Sequence, residues 1–101
     1  MEPTYELCNI QQLLKDSKYY ITEVATRTAA SIGFLDEDII ECIVHELRDS
    51  HLYKSMPSTK VPGLMQDVYK ITYQGKRVYL KLQVNRAGYA VVVSFKEDES
   101  P

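Results

Sequence analysis

The chain has 101 residues, of which 45% are hydrophobic and 26% are charged. This length fits one small domain and excludes a two-domain enzyme or a long repeat array, and the composition excludes disordered, collagenous and coiled-coil chains. No apolar run approaches the roughly 20 residues of a membrane helix, and the acidic residues 2–6 lack the apolar stretch of a signal peptide. We therefore expect one cytoplasmic domain over residues 1–101, with no membrane contact.

Charge is divided unevenly along the chain. Residues 1–52 carry four basic and ten acidic side chains, whereas residues 53–96 carry eight basic ones and the single acid Asp67. Three acids follow at residues 97–99. Such a basic segment is typical of a surface that binds a polyanion. The alternative is a solvated sheet face whose lysines protect its edges, and charge alone favours this alternative.

The first half of the chain, about residues 1–50, is predicted to be helical. A first short helix is expected to begin at Asn9, because Asn9 and Gln12 resemble a capping box. The polar residues 15–18 end it, and residues 19–21 are expected to form a brief extended or linking segment.

Two further helices are predicted before residue 50. Thr22 is a suitable N-cap for the second helix, and Gly33 is a suitable stop. Asp36 is expected to cap the third helix. Its buried stripe, at helical spacing, would comprise Ile39, Ile40, Ile43, Val44 and Leu47.

The second half, about residues 64–97, is predicted to be a sheet, because the hydrophobic period changes to two after a loop that includes residues 55–63. Strands are expected at residues 69–73, 77–84 and 89–95, joined by tight turns. Three such strands form an antiparallel meander whose apolar face the helices must cover. The predicted fold class is therefore α+β, with a small antiparallel sheet packed against N-terminal helices.

Pairing parity predicts which strand side chains share a face. Placing Ile71 opposite Val78, and Val84 opposite Tyr89, makes one face of the sheet wholly apolar. In this register the last strand buries Tyr89, Val91, Val93 and Phe95. A shift of the strand pairing by an odd number of residues would bury charged side chains, at a cost of several kcal/mol each. The opposite face, called the polar face below, collects Gln66, Lys70, Arg77, Tyr79, Lys81, Gln83 and Lys96.

A basic face with phenol and amide groups is suited to a phosphodiester. Ribonuclease chemistry needs a proton acceptor for the 2′-hydroxyl, a proton donor for the 5′-oxygen and cations for the charge that develops on phosphorus. Clustering of positive charges is expected to lower the pKa of lysine and tyrosine side chains. Gln66 can bind a base edge or a phosphate oxygen, and Tyr53, Tyr69 and Tyr79 can stack on unpaired bases. By pattern alone, ordinary solvated tyrosines and lysines remain the favoured interpretation.

Metal and cofactor chemistry finds no support in the sequence. His51 has no second histidine or cysteine at ligand spacing, and no glycine-rich phosphate loop follows a strand. Cys8 and Cys42 form no CxxC pair and are expected to be free, reduced thiols. We therefore expect neither a metal nor a cofactor.

Four sequence blocks resemble the MqsR family, the mRNA-cleaving toxins of a bacterial type II toxin–antitoxin system. The blocks are His-Leu-Tyr-Lys-Ser-Met at residues 51–56, Gln-Asp-Val-Tyr at 66–69, Val-Tyr-Leu-Lys at 78–81 and Val-Ser-Phe-Lys-Glu at 93–97. They occur in the family's order at similar spacing. The helical half is similar in pattern more than in identity.

The resemblance implies a RelE/YoeB-like microbial ribonuclease fold and metal-independent cleavage of mRNA at GC-containing sites such as GCU. The family's active-site lysine, glutamine and tyrosine correspond to Lys54, Gln66 and Tyr79, and its C-terminal strand lysine to Lys96. Lys54 would come from the loop before the sheet and fold over it. Neighbouring side chains predicted to bind RNA are Tyr53, Met56, Lys70, Arg77 and Lys81.

The resemblance also implies a partner, an MqsA-like antitoxin that binds DNA and holds zinc in its N-terminal domain. Contact with DNA would then be indirect, through the antitoxin. This chain departs from the family pattern at Met65, where the family has tryptophan, and in its mildly acidic overall charge. The departures concern base stacking and the strength of RNA binding. The alternative function is a non-catalytic module that binds RNA or protein through the same face.

Overall fold

A computed structural model of the chain describes residues 2–101 as an α+β fold. Its helices are α1 (Leu7–Lys15), α2 (Glu23–Ser31) and α3 (Asp36–Glu41), and α3 continues into a π-helical turn, Cys42–Glu46, before a 3₁₀ turn, Asp49–His51. Its strands are β1 (Tyr19–Ile21), β2 (Leu52–Pro57), β3 (Met65–Tyr73), β4 (Lys76–Val84) and β5 (Ala90–Glu97).

The strands form one mixed sheet in the order β1-β5-β4-β3-β2. Strands β2 to β5 pair antiparallel with their neighbours, and β1 pairs parallel with β5. The three predicted strands correspond to β3, β4 and β5 and pair antiparallel, but the sheet has five strands instead of three and is mixed, because β1 adds a parallel pair. Both missed strands are edge strands, and such short segments carry too few residues for a period of two to stand out.

The start of α2 agrees with its sequence signal. The Thr22 hydroxyl accepts a hydrogen bond from the Ala25 N–H at 3.0 Å, which satisfies one free donor of the first turn. The start of α1 does not agree, because the helix begins at Leu7 and the predicted cap Asn9 lies inside its first turn.

The third helix is also capped differently from the prediction. Leu35, not Asp36, precedes it, and the Asp38 carboxylate accepts the Leu35 N–H at 2.8 Å. Asp36 instead accepts a hydrogen bond from the Thr26 hydroxyl at 2.7 Å, which ties α3 to α2. A carboxylate three residues into the helix therefore provides the cap.

The helices pack on one face of the sheet, which was predicted to be apolar. The helical contribution to this core includes Ile10, Ala25, Ala29, Ile39 and Ile43, each fully buried. The strands contribute Tyr69, Val78, Leu80, Val92 and Phe95, among others. Within residues 2–101, the core cluster includes no residue from the other face of the sheet, which is the polar face.

The first hairpin has the predicted register. Ile71 lies opposite Val78, and Lys70 lies opposite Tyr79. The connecting residues Gln74 and Gly75 both have positive φ, of 49° and 81°, as a two-residue hairpin turn requires. A turn of fixed length leaves only one pairing between β3 and β4.

The second hairpin departs from the predicted register. Val84 pairs with Ala90 instead of Tyr89, and Val93 is an extra residue between the pairs Leu82–Val92 and Lys81–Ser94. The buried side chains of β5 are consequently Ala90, Val92 and Phe95. The predicted burial of Tyr89, Val91 and Val93 is wrong, because the β-bulge adds one residue to the strand. Buried positions are therefore even-numbered before the bulge and odd-numbered after it.

A buried carboxylate ties the start of the chain to the sheet. Asp67 is fully buried, and its two oxygens accept the N–H groups of Thr4 and Tyr5 at 2.9 Å each. The Ser55 hydroxyl donates a further hydrogen bond to it. This carboxylate therefore joins β2, β3 and the residues before α1.

We predict that Asp67→Ala lowers the free energy of unfolding by about 3 kcal/mol, because it leaves buried donors without an acceptor. Urea denaturation followed by circular dichroism measures the change. The control is Asp16→Ala, which alters an exposed carboxylate at the end of α1 and should change stability by less than about 0.5 kcal/mol. Equal stability losses in the two variants would refute this role of Asp67.

Candidate functional site

Three rows of side chains cross the polar face, and the first contains the predicted tyrosine. Lys70, Tyr79 and Lys96 lie directly opposite one another on β3, β4 and β5. The Lys96 ammonium is 5.2 Å from the centre of the Tyr79 ring. The Lys70 ammonium is 4.0 Å from the centre of the Tyr53 ring. Both cations are therefore within cation–π distance of a tyrosine.

The second row contains the predicted lysine of the family motif. Lys54 faces Val68, and Val68 faces Lys81. Lys54 lies in β2, so its predicted position in a loop that folds over the sheet is wrong. Tyr53 is an extra residue in the pairing of β2 with β3, and this second bulge turns its ring toward Lys54 and Lys70. The edge strand itself therefore brings Lys54 to the face.

The third row contains the predicted glutamine. Met56 pairs with Gln66, and the Gln66 Nε2 donates a hydrogen bond to the Gln83 Oε1 at 3.3 Å. Both amide side chains are buried. The structure thus places Lys54, Gln66, Tyr79 and Lys96 on one face, together with Tyr53, Met56, Lys70, Arg77 and Lys81.

The cations in the first two rows influence each other's ionisation. The pKa of Lys81 is lowered, first by burial and then by the positive charges of Lys96 and Lys54. The ammonium of Lys81 therefore loses its proton more easily than an exposed lysine does.

Tyr79 behaves in the opposite way to the prediction. Its pKa is raised, first by burial and then by the fields of Tyr53 and Asp98. The expected lowering by clustered cations is wrong for this phenol, because desolvation disfavours the phenolate. Tyr79 therefore remains a proton donor at neutral pH.

An acidic residue beyond β5 occupies one end of the polar face. The Asp98 carboxylate lies 3.8 Å from the Lys70 ammonium and 3.6 Å from the Arg77 guanidinium. Arg77 also donates to the Ser100 carbonyl at 2.7 Å, and Lys70 donates to the Ser100 hydroxyl at 3.2 Å. Two cations predicted to bind RNA are thus already paired. The sequence analysis did not identify Asp98 as part of the site. The run of three acids at residues 97–99 was the only feature of the sequence that indicated it.

We predict that the contacts of Asp98 are lost only in acid. Its pKa is lowered, first by the hydrogen bond from the Ser100 hydroxyl, against an opposing effect of burial, and further by Lys70 and Arg77. A lowered folded-state pKa contributes stability above the ordinary value of 3.8, and this stability disappears as the pH falls through the lowered pKa. NMR titration of the Ser100 amide measures the transition.

The matched control for this titration is Asp98→Asn, which should remove the transition while the rest of the spectrum keeps its dispersion. A transition of the wild-type amide at or above the ordinary carboxyl pKa would contradict the expected pairing.

The structure was also searched for residues suited to a metal ion, a disulfide or a membrane span. Within residues 2–101, no three His, Cys, Asp or Glu side chains come together as metal ligands would. His51 Nδ1 instead accepts the Arg48 N–H at 2.9 Å. Cys8 is exposed and Cys42 is buried, and both are free thiols. In the same part of the chain, no helix has the length and apolar character needed to cross a membrane.

These features define a small α+β protein with lysine, tyrosine and amide side chains gathered on one cationic sheet face. Comparison with known proteins identifies its family. The family described as "Motility quorum-sensing regulator, toxin of MqsA" matches residues 2–97. The chain is also 32% identical over 95 residues to the mRNA interferase toxin MqsR of Escherichia coli (strain K12), covering 94% of each protein. The chain belongs to the MqsR toxin family, which confirms the resemblance of the sequence blocks.

Proposed function

We propose that this chain is the toxin of a type II toxin–antitoxin system and that it cleaves mRNA without a metal ion. The observation that carries the proposal is the cluster of Lys54, Lys81 and Lys96 beside the protonated phenol of Tyr79. The similarity to the Escherichia coli relative, which is named an mRNA interferase toxin, supports it. The family description supports an MqsA-like antitoxin as partner, through which contact with DNA would be indirect.

The cluster is suited to in-line attack by a 2′-hydroxyl group of RNA. The 2′-oxygen forms a bond to phosphorus as the bond to the 5′-oxygen breaks, which leaves a 2′,3′-cyclic phosphate and a free 5′-hydroxyl. Lys54 and Lys96 would stabilise the negative charge that develops on the phosphoryl oxygens. No other reactant is needed, because one proton leaves the 2′-hydroxyl and one reaches the 5′-oxygen.

The ionisation of the side chains suggests how the two protons move. Tyr79, whose pKa is raised, would donate a proton to the 5′-oxygen. A lysine would accept the proton of the 2′-hydroxyl, and the lowered pKa of Lys81 suits it to this role. Gln66 would position the substrate through its amide. Proton transfer by positioned groups of this kind accelerates a reaction by about 10²–10⁴-fold.

The proposed substrate is unpaired mRNA, cleaved at GC-containing sites in the cytoplasm. Tyr53 is 49% exposed at the rim of the lysine cluster, where its ring can stack on an unpaired base. We also propose that the whole chain acts as one toxin domain of the RelE/YoeB-like type. The single sheet with helices on one face supports this assignment.

We predict that Tyr79→Phe and Lys54→Ala each reduce RNA cleavage by about 10²-fold or more, because each removes one group needed for proton transfer or charge stabilisation. Cleavage of a labelled mRNA in the presence of a chelator, with detection of 2′,3′-cyclic ends, measures the effect. Tyr79→Phe keeps the ring and so separates the hydroxyl group from packing.

The control for this experiment is Lys76→Ala, which removes an equal charge from an exposed position at the start of β4 and should leave cleavage unchanged. Undiminished cleavage by a folded Lys54→Ala, Tyr79→Phe double variant would refute the site. Retardation of RNA without any cut would instead favour the non-catalytic binding module.

We predict that Asp98→Asn strengthens RNA binding, because it frees Lys70 and Arg77 to contact phosphates. The slope of log affinity against log salt concentration should steepen by about 1 to 2, since each added phosphate contact contributes about one unit. Fluorescence anisotropy with a 2′-O-methyl RNA, which cannot be cleaved, measures the slope.

The matched control is Glu99→Gln, which removes the same charge from an exposed residue. An identical effect in both variants would show that only net charge matters and that the ion pairs of Asp98 do not compete with RNA.

A further inference from the structure

A cavity of about 320 Å³ opens on the polar face next to the lysine cluster. It lies between the residues that begin α2 and the connection from β2 to β3. Its lining includes Gln66, Lys81, Gln83, Val61, Val91 and Val93. The volume is at the low end of the range for ligand pockets, about 300–1,000 Å³, and is suited to one small, flat group.

The polar part of this lining includes a pair of amides with unused hydrogen-bonding capacity, beside the hydroxyl-bearing residues Thr22, Ser58, Thr59 and Ser94. Gln66 donates to Gln83 at 3.3 Å, and within residues 2–101 this is the only hydrogen bond that either side chain makes. Two amides that share one hydrogen bond retain an oxygen acceptor and three N–H donors, whichever way each amide is turned. A buried pair of this kind presents a donor and an acceptor side by side.

Two valines of β5 contribute to the apolar part of the lining, together with Val61 and Val24. Val93 is the extra residue of the bulge in β5, and Val91 lies opposite Gln83. Because the bulge reverses parity, both valines face the cavity and not the core. Apolar walls beside adjacent donor and acceptor groups match a nucleobase, whose edge carries donors and acceptors and whose faces are apolar.

The position of the cavity relates it to the proposed cleavage. Lys81 belongs both to the cavity lining and to the lysine cluster, so a phosphate at the cluster places an adjoining base within reach of the amides. Lys60 adds a second cation at the cavity rim. Val24 of α2, which is 48% exposed, also lines the cavity.

We infer that this cavity is a nucleobase-binding subsite and that Gln83 determines which base it accepts. The inference rests on the proposed function, because RNA held at the lysine cluster is what delivers the base. Gln83 acts by hydrogen bonding to the base edge, outside the proton-transfer steps assigned to Lys81 and Tyr79.

Binding of four 2′-O-methyl tetranucleotides, each of a single base, tests the inference without cleavage. The NMR signals of the Val91 and Val93 methyl groups should shift with the preferred base, and the wild-type protein should separate the best from the worst oligonucleotide by about tenfold in affinity. Gln83→Leu should reduce this ratio to below about twofold. Gln83→Glu keeps the side-chain shape, replaces N–H donors by an acceptor and should change the order of preference.

The matched control is Gln12→Leu, an equal substitution at an exposed position on α1, which should keep the wild-type ratio. Equal affinity for all four oligonucleotides, absence of shifts at the two valines, or an unchanged order in both Gln83 variants overturns the inference. Base-selective binding without cleavage of unmodified RNA refutes the proposed function and leaves the subsite in place. Cleavage without base-selective shifts refutes the subsite alone.

Discussion

The unpaired residue at Val93 determines which side of β5 carries the side chains that follow it. Without the bulge, Ser94 would face the core and Phe95 would face solvent. With it, Phe95 is fully buried and Lys96 lies opposite Tyr79. Burial of a phenylalanine stabilises the fold by about 2–3 kcal/mol, whereas an unpaired ammonium in the core costs much more. The bulged pairing is favoured for this reason, and the polar face depends on it.

The polar face concentrates cations that repel one another, and the surrounding side chains moderate this repulsion. Tyrosine rings lie near three of the ammonium groups, and the single carboxylate of Asp98 pairs with both Lys70 and Arg77. Val68, which lies between Lys54 and Lys81 in the sheet, is fully buried. Burial and, after it, the positive charges of Lys96 and Lys54 lower the pKa of Lys81. Under the proposed function, a phosphate bound at this cluster would reduce the repulsion between these lysines.

The polar face is thus divided into three regions along β4. At one end Arg77 is paired with Asp98, and in the middle Tyr79 lies among the lysines. At the other end Gln83 and the valines of β5 line a cavity. Because every second side chain of a strand points to the same face, β4 can present three chemically different surfaces to one extended ligand. Under the proposed function, one small sheet would both recognise and cleave the same RNA strand.

Local sequence determined the features that depend on short-range geometry. The period of two in β3 and β4 and the two-residue turn at Gln74 allow one register, so the face of Tyr79 and Lys81 was predictable. The bulge was not predictable, because residues 91–93 are three valines and their pattern is the same in every register. The contact between Gln66 and Gln83 follows from the same predicted register of β3 and β4. The pairing of the edge strands β1 and β2 with the sheet and the pairing of Asp98 with Lys70 were decided by tertiary structure. Each of them joins residues far apart in the chain, and only the burial of the shared core brings such residues together.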